Sequence, residues 1–296
     1  MKKLFIGLLY IPLLIFLSNA AVQEECLEVP YVPTPYDVVE EMLRMADVSK
    51  DDVLYDLGCG DGRIVIMAAE KMGTRGVGVD IDLQRIKESR ENAIRAKVAD
   101  RVRFLHQDLF EANISEATVV TLYLTSDVNL KVRPKLLREL KPGTRVVSND
   151  FDMEEWEPDK TSEVTSDYES YTIYFWVVPA NVTGTWEWIM PASSGKERYI
   201  LQLDQQFQQV NGIVTVGATK MLIKDAKLRG DRLQFTMDQK VKGRIATMLF
   251  EGRVSSNSIE GSVELKSGPI AEKSKWVAKR DPSTVALLSM TRYRFN

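Results

Sequence analysis

The sequence predicts an α/β fold: a doubly wound, Rossmann-like sheet followed by a small antiparallel β-barrel or sandwich. Three observations predict it. Residues 53–63 read as an apolar strand ending in an acid and then a loop with glycine at 58, 60 and 62; Ile64 to Glu70 continues as a helix. Strand-like and helix-like runs then alternate to about residue 150. After Pro179 the pattern changes to short alternating runs separated by turn residues.

At the start, Lys2 and Lys3 precede an apolar run from Leu4 to Leu17, and Ser18-Asn19-Ala20 supplies small residues. This is the three-part pattern of a secretory signal, short for a membrane span. Residues 1–20 are therefore expected to be a signal peptide, with an uncleaved N-terminal anchor as the alternative. The protein is expected to be exported or anchored at a membrane. Two cysteines, Cys26 and Cys59, imply no disulfide framework. Cys59 lies inside the glycine loop, where a bridge would distort a ligand site.

Residues 28–179 form the expected α/β domain. Pro30 to Pro35 is a rigid lead-in, with Thr34 able to cap a helix and Pro35 at its first position. Val38, Val39, Met42 and Leu43 recur at helical spacing. Strands are expected at about 53–57, 76–80, 101–106, 117–124 and 144–149, and helices at about 62–72, 83–97 and 129–140. Two more strands, near 161–167 and 171–178, flank a turn at Glu169-Ser170. Residues 181–281 form the expected β-domain of about eight strands. Its turns are expected at Asn211-Gly212, within Leu228 to Leu233, at Ser255 to Ser258 and at Lys266 to Gly268. Its aromatics read as core, and it carries no chemistry-bearing cluster.

The spacing of the glycines narrows the ligand. A dinucleotide loop would place its third glycine at position 63, which is Arg63; the pattern here is D-x-G-x-G-x-G, led by Asp56. S-adenosylmethionine (SAM) has a sulfonium and an ammonium rather than a pyrophosphate, and both favour a nearby carboxylate. Asp56 meets that need, while Gly58, Cys59 and Gly60 offer backbone for close approach. Asp80 ends the second strand and can accept both ribose hydroxyls. Asp108 follows the third and can accept from the adenine amino group; His106 beside it reads as structural.

With these motifs in view, residues from about Tyr31 to Val178 resemble a class I SAM-dependent methyltransferase. More closely they resemble the family of mitochondrial lysine methyltransferases acting on the ATP synthase c subunit and the ADP/ATP carrier. The stretches that carry this are Asp56 to Val65, Leu136 to Ser148, Phe151 and Trp156-Glu157-Pro158. The resemblance implies a seven-stranded sheet closed by an antiparallel hairpin, SAM as cofactor and a protein lysine as acceptor, with membrane proteins among the partners. It also implies that the segment holding Tyr31 and Thr34 folds over the methionine end of SAM; simple cover of a sheet edge is the alternative.

The acceptor side departs from many amino-methylating enzymes. The fourth strand is followed by Tyr123-Leu124-Thr125-Ser126-Asp127 and not by an Asn/Asp-Pro-Pro-aromatic turn. Tyr123 can wall an acceptor site, or be a core aromatic. Phe151 and Trp156 can line a slot for an alkylamine; Asp150 or Asp152 can hold the amine, or be solvated turn carboxylates. Methyl transfer is an in-line displacement that depends mainly on orientation, so no metal, covalent nucleophile or histidine base is required. A net charge of −3, with cations scattered among acids, lacks the basic footprint of a nucleic-acid binder. The expected function is SAM-dependent methylation of protein lysine. Alternatives are a small-molecule N- or O-methyltransferase and an exported binding protein that kept the fold without activity.

Overall fold

A computed structural model describes residues 29–192, 195–241, 244–267 and 270–286. The signal or anchor segment and Cys26 lie outside the described residues.

The chain enters through helix α1 (Tyr36–Met45), which buries Val38, Val39, Met42 and Leu43. Pro35, not Thr34, is its N-cap, and no side chain caps it. Proline already fixes the starting φ, so the hydroxyl is not needed there. Strand β1 (Val53–Leu57) is buried on both faces, as a central parallel strand must be. Then come α2 (Arg63–Met72), β2 (Arg75–Asp80), α3 (Leu83–Arg95), β3 (Val102–His106), β4 (Val119–Leu122), α4 (Ser126–Glu139) and β5 (Arg145–Asn149). Asp82 caps α3 by accepting from Gln84 N at 2.7 Å. Gly73, at φ 72°, ends α2. Two elements differ from the sequence expectation. Strand β4 is shorter, and α4 starts three residues early because Asn129 N already donates to Thr125 O at 2.9 Å.

The hairpin β6 (Lys160–Ser166) and β7 (Glu169–Val177) completes the sheet, in the order β3-β2-β1-β4-β5-β7-β6. Strands β1 to β5 are parallel, and β7 and β6 are antiparallel. The hairpin turn is Asp167-Tyr168, not Glu169-Ser170. Both residues take positive φ (46° and 71°), the backbone a tight hairpin demands. The strand order reverses between β1 and β4. That switch point opens a crevice at the C-terminal edge, where open α/β sheets bind ligands.

The second sheet has nine strands: β8 (Gly184–Ala192), β9 (Gly195–Gln206), β10 (Gln209–Val216), β11 (Thr219–Leu222), β12 (Lys224–Arg229), β13 (Arg232–Val241), β14 (Arg244–Ser255), β15 (Ser258–Ser267) and β16 (Ile270–Arg280). Each pairs with its chain neighbour except β11 with β12, and β16 returns to β8. The two end strands of that order, β11 and β12, are consecutive and separated only by Ile223. The sheet is thus a nearly closed up-and-down barrel, which leaves few free edges. Its core stacks Trp188, Phe235, Phe250 and Trp276 with ring centroids 4.9–5.8 Å apart.

Asn211-Gly212 is not a turn; it lies within β10, and the turn falls at Phe207-Gln208. Gly212 is needed for packing there: a Cβ would sit 2.6 Å from Gln202 O. Part of the Lys266 to Gly268 turn lies outside the described residues.

Candidate functional site

The three glycines do what their spacing requires. Gly58, Gly60 and Gly62 all take left-handed φ (83°, 51° and 80°). The loop hangs from β2, with Gly58 N and Cys59 N both donating to Val79 O at 2.8 and 3.0 Å. Cys59 is buried, and that burial pushes its thiol well above the usual range. A Cβ on Gly60 would sit 2.5 Å from the Tyr31 ring, so the segment before α1 lies directly over the loop. Arg63 ties the two together. Its guanidinium forks onto Asp61 (3.0 and 2.7 Å) and donates to Thr34 O at 3.0 Å. Arg85 stacks on Tyr31 at 4.5 Å.

Asp56 is 2% exposed and has one partner, the Thr121 hydroxyl, at 2.8 Å. Burial pushes its carboxyl up to about 7, against the opposing Thr121 hydrogen bond. No cation of the chain is paired with it among the described residues. Asp80 accepts from Gly60 N (2.7 Å) and Asp82 N (2.9 Å), so one carboxylate organises both the loop and the turn into α3. Asp108 accepts from Phe110 N at 2.8 Å and opens a turn after β3. His106 bonds Ile81 O at 2.8 Å and is exposed, in keeping with a structural part.

The strand register places the acceptor candidates. Asp56 and Thr121 share a face of the sheet; Thr121 pairs with Val147, and Asn149 with Ile173. Side chains alternate along strands, so Tyr123, Asn149 and Tyr171 lie on that same face. Tyr123 stacks on Phe151 at 6.3 Å. Its phenol is raised by burial and then by the charge of Asp150. Asp150 sits at φ 59° and accepts from Thr172 N at 2.9 Å, pinning β5 to β7.

Two predicted residues are not part of this group. Asp152 is exposed and accepts from Glu154 N at 3.2 Å. Trp156 is fully buried, stacked on Phe207 (5.9 Å) and packed against Trp176 (5.8 Å), so it walls no open slot. The residue that sequence reasoning missed is Asn149. It is fully buried, and neither atom of its amide has a partner. An unmet buried polar group costs about 1–3 kcal/mol, which calls for an explanation. No group of side chains suited to a metal occurs among the described residues.

Comparison with known proteins fits this geometry. Residues 56–160 match the family model described as ANTKMT methyltransferase domain. A protein-lysine N-methyltransferase from Saccharolobus islandicus is 48% identical over 151 residues, which cover 51% of this chain and 94% of that one. The chain belongs to this family of SAM-dependent methyltransferases. A human lysine N-methyltransferase named for the ATP synthase c subunit is 33% identical over 139 residues, 47% of this chain and 58% of that relative. A solved structure described as an RNA methyltransferase from Salinibacter ruber, in complex with S-adenosyl-L-homocysteine, is 57% identical. It covers 51% of this chain and 96% of that chain, with a TM-score of 0.49. All three matches leave much of this methyltransferase uncovered.

The residues present fit the cofactor. A buried carboxylate without a cation suits an ammonium, three left-handed glycines leave backbone open to a ligand, and acids lie at or just after the ends of three neighbouring strands.

Proposed function

We propose that this enzyme methylates the side-chain amine of lysine in a protein. The observation that carries the reading is the chemistry beside the acceptor half of the crevice. Residues 150–159 hold Asp150, Asp152, Glu154, Glu155, Glu157 and Asp159, with no cation among them. Such a rim attracts a basic segment and repels a phosphate backbone. Tyr123, Phe151 and Tyr171 add apolar ring surface at the same edge. The names of the relatives, which act on lysine in protein, point the same way.

Asp108, Asp80 and Asp56 follow or end β3, β2 and β1, and would hold the adenine, ribose and methionine parts of the cofactor in that order. Tyr31 and Thr34, on the segment pinned by Arg63, would cover the methionine end. The acceptor then approaches over β4, β5 and β7. When bound, SAM supplies an electrophilic methyl group. The chain's own part is to orient the amine, and to desolvate it so that it sheds its proton more readily.

Residues 28–179 carry this chemistry, and the barrel serves as an added surface for the partner. The Lys2 to Ala20 pattern supports an exported or membrane-anchored enzyme, with a membrane protein as its partner. No described helix is long and apolar enough to cross one. The test is the fate of tritiated methyl from SAM after incubation with membrane-fraction protein. Label released by protease and not by ribonuclease is expected. Ribonuclease-sensitive label would overturn the lysine reading.

A further inference from the structure

Among the described residues, Asn149 is an acceptor-side residue whose whole side-chain amide the fold leaves unpaired. It ends β5, is fully buried, and neither its Oδ1 nor its Nδ2 meets a partner. Its neighbours are at least partly satisfied at this edge. Ser148, on the opposite face, bonds Asn129 Nδ2 at 3.1 Å, and Asp150 bonds Thr172 N. Asn129 keeps only its Oδ1 unpaired, whereas both atoms of the Asn149 amide are unpaired.

Its placement says what it faces. Val147 and Ile173, on the same face, pack into the core with Val38, Val39 and Met42 of α1. Asn149 is one step further toward the C-terminal edge, flanked by Tyr123 after β4 and Tyr171 on β7. It stands two strands from Asp56, a lateral distance of about 10 Å at ~4.8 Å per strand. Two half-buried phenols beside a buried amide have the right chemistry for an alkylamine that displaces the ring cover over Asn149.

We propose that Asn149 binds the acceptor amine, its Oδ1 accepting an N–H of the lysine side chain and fixing the nitrogen toward the cofactor methyl. This rests on the lysine reading above. A neutral amide suits the task better than a carboxylate. It orients the nitrogen without holding the proton that the amine must lose. Asp150, the obvious acid nearby, is instead engaged by Thr172 N.

The test uses the full chain with Asn149→Leu and Asn149→Ala. SAM alone is the binding probe, and membrane-fraction protein from cells lacking the enzyme is the acceptor. An apolar side chain of similar size removes the unmet amide, so Asn149→Leu should melt at or above the wild-type temperature. Its SAM affinity should stay within threefold, and methyl-lysine formation should fall at least tenfold for both variants. A lower melting temperature for Asn149→Leu, or transfer at the wild-type rate, overturns the assignment while leaving the lysine reading intact. Methyl groups placed by the wild type on RNA or on a hydroxyl overturn both.

Discussion

Asp56 is the residue on which the proposed cofactor site turns. Its carboxyl titrates near 7 in the folded protein, against an ordinary value of 3.8. Because the folded value is the raised one, stability linked to this group is full below about 3.8 and is lost as pH rises through about 7. A bound cation reverses that preference. SAM should therefore bind about tenfold more weakly at pH 6 than at pH 8, since most Asp56 must first lose a proton at the lower pH. Calorimetry at the two pH values checks this, and equal affinities would contradict it. Asp56→Asn should abolish binding and flatten the pH dependence of the melting temperature. Asp56 and the glycines were legible in the sequence because their signals are local: an acid and three left-handed positions within seven residues. Asn149 was not. Its unmet amide becomes visible only once the register of β4, β5 and β7 is known. The partners of Trp156 lie on other elements, so a buried brace read as an open wall.

At the scale of elements, the loop between β5 and β6 connects the methyltransferase sheet to the barrel. Arg133 on α4 donates to Met153 O at 2.6 Å and lies over Phe207 at 5.2 Å. Gln208 donates to Glu157 O at 2.6 Å, and Trp176 donates to Trp156 O at 2.6 Å. A cleft of about 360 Å³, lined by Glu154, Glu155, Glu157, Gln206 and Gln209, opens beside this contact. Trp156→Ala should therefore act on stability before chemistry. A loss of about 3–5 kcal/mol is expected from the cavity, with SAM affinity unchanged at temperatures where the variant is folded. Denaturant unfolding and calorimetry measure both, and a selective loss of transfer without destabilisation would restore the acceptor-wall role. Most element positions were readable from period and turn residues. The errors fell where a residue has two uses. Asn-Gly is a turn signal, yet Gly212 serves a close strand contact. Asp167-Tyr168 makes the hairpin turn although tyrosine is a poor turn residue.

At the scale of the whole molecule, the sheet that carries the cofactor loop and the barrel belong to one compact unit among the described residues. Gly230 on the β12–β13 turn accepts from Ala180 N at 2.8 Å and packs against Gly143. The Saccharolobus islandicus relative is matched over 94% of its length by about half of this chain, so the α/β part corresponds to a nearly complete protein. A truncated chain of residues 25–180 should fold and bind SAM, at reduced stability because Trp156 loses Phe207. Failure to fold would show that the barrel completes the α/β core. The switch from α/β alternation to short strands made the two sheets legible. Barrel closure was not, because it depends on β16 returning to β8, a pairing between the two ends of the region. The central claim is that the crevice joins a methyl donor held by Asp56 and the glycine loop to a lysine amine held over β5. Its most direct measurement is tandem mass spectrometry of membrane-fraction protein after reaction with labelled SAM, alongside a Gly60→Val control. The account predicts methyl groups on lysine Nζ with the wild type and none with the control, in which Tyr31 is forced off the loop. Methyl groups on RNA, a hydroxyl or a free metabolite, or equal labelling by the control, would contradict it.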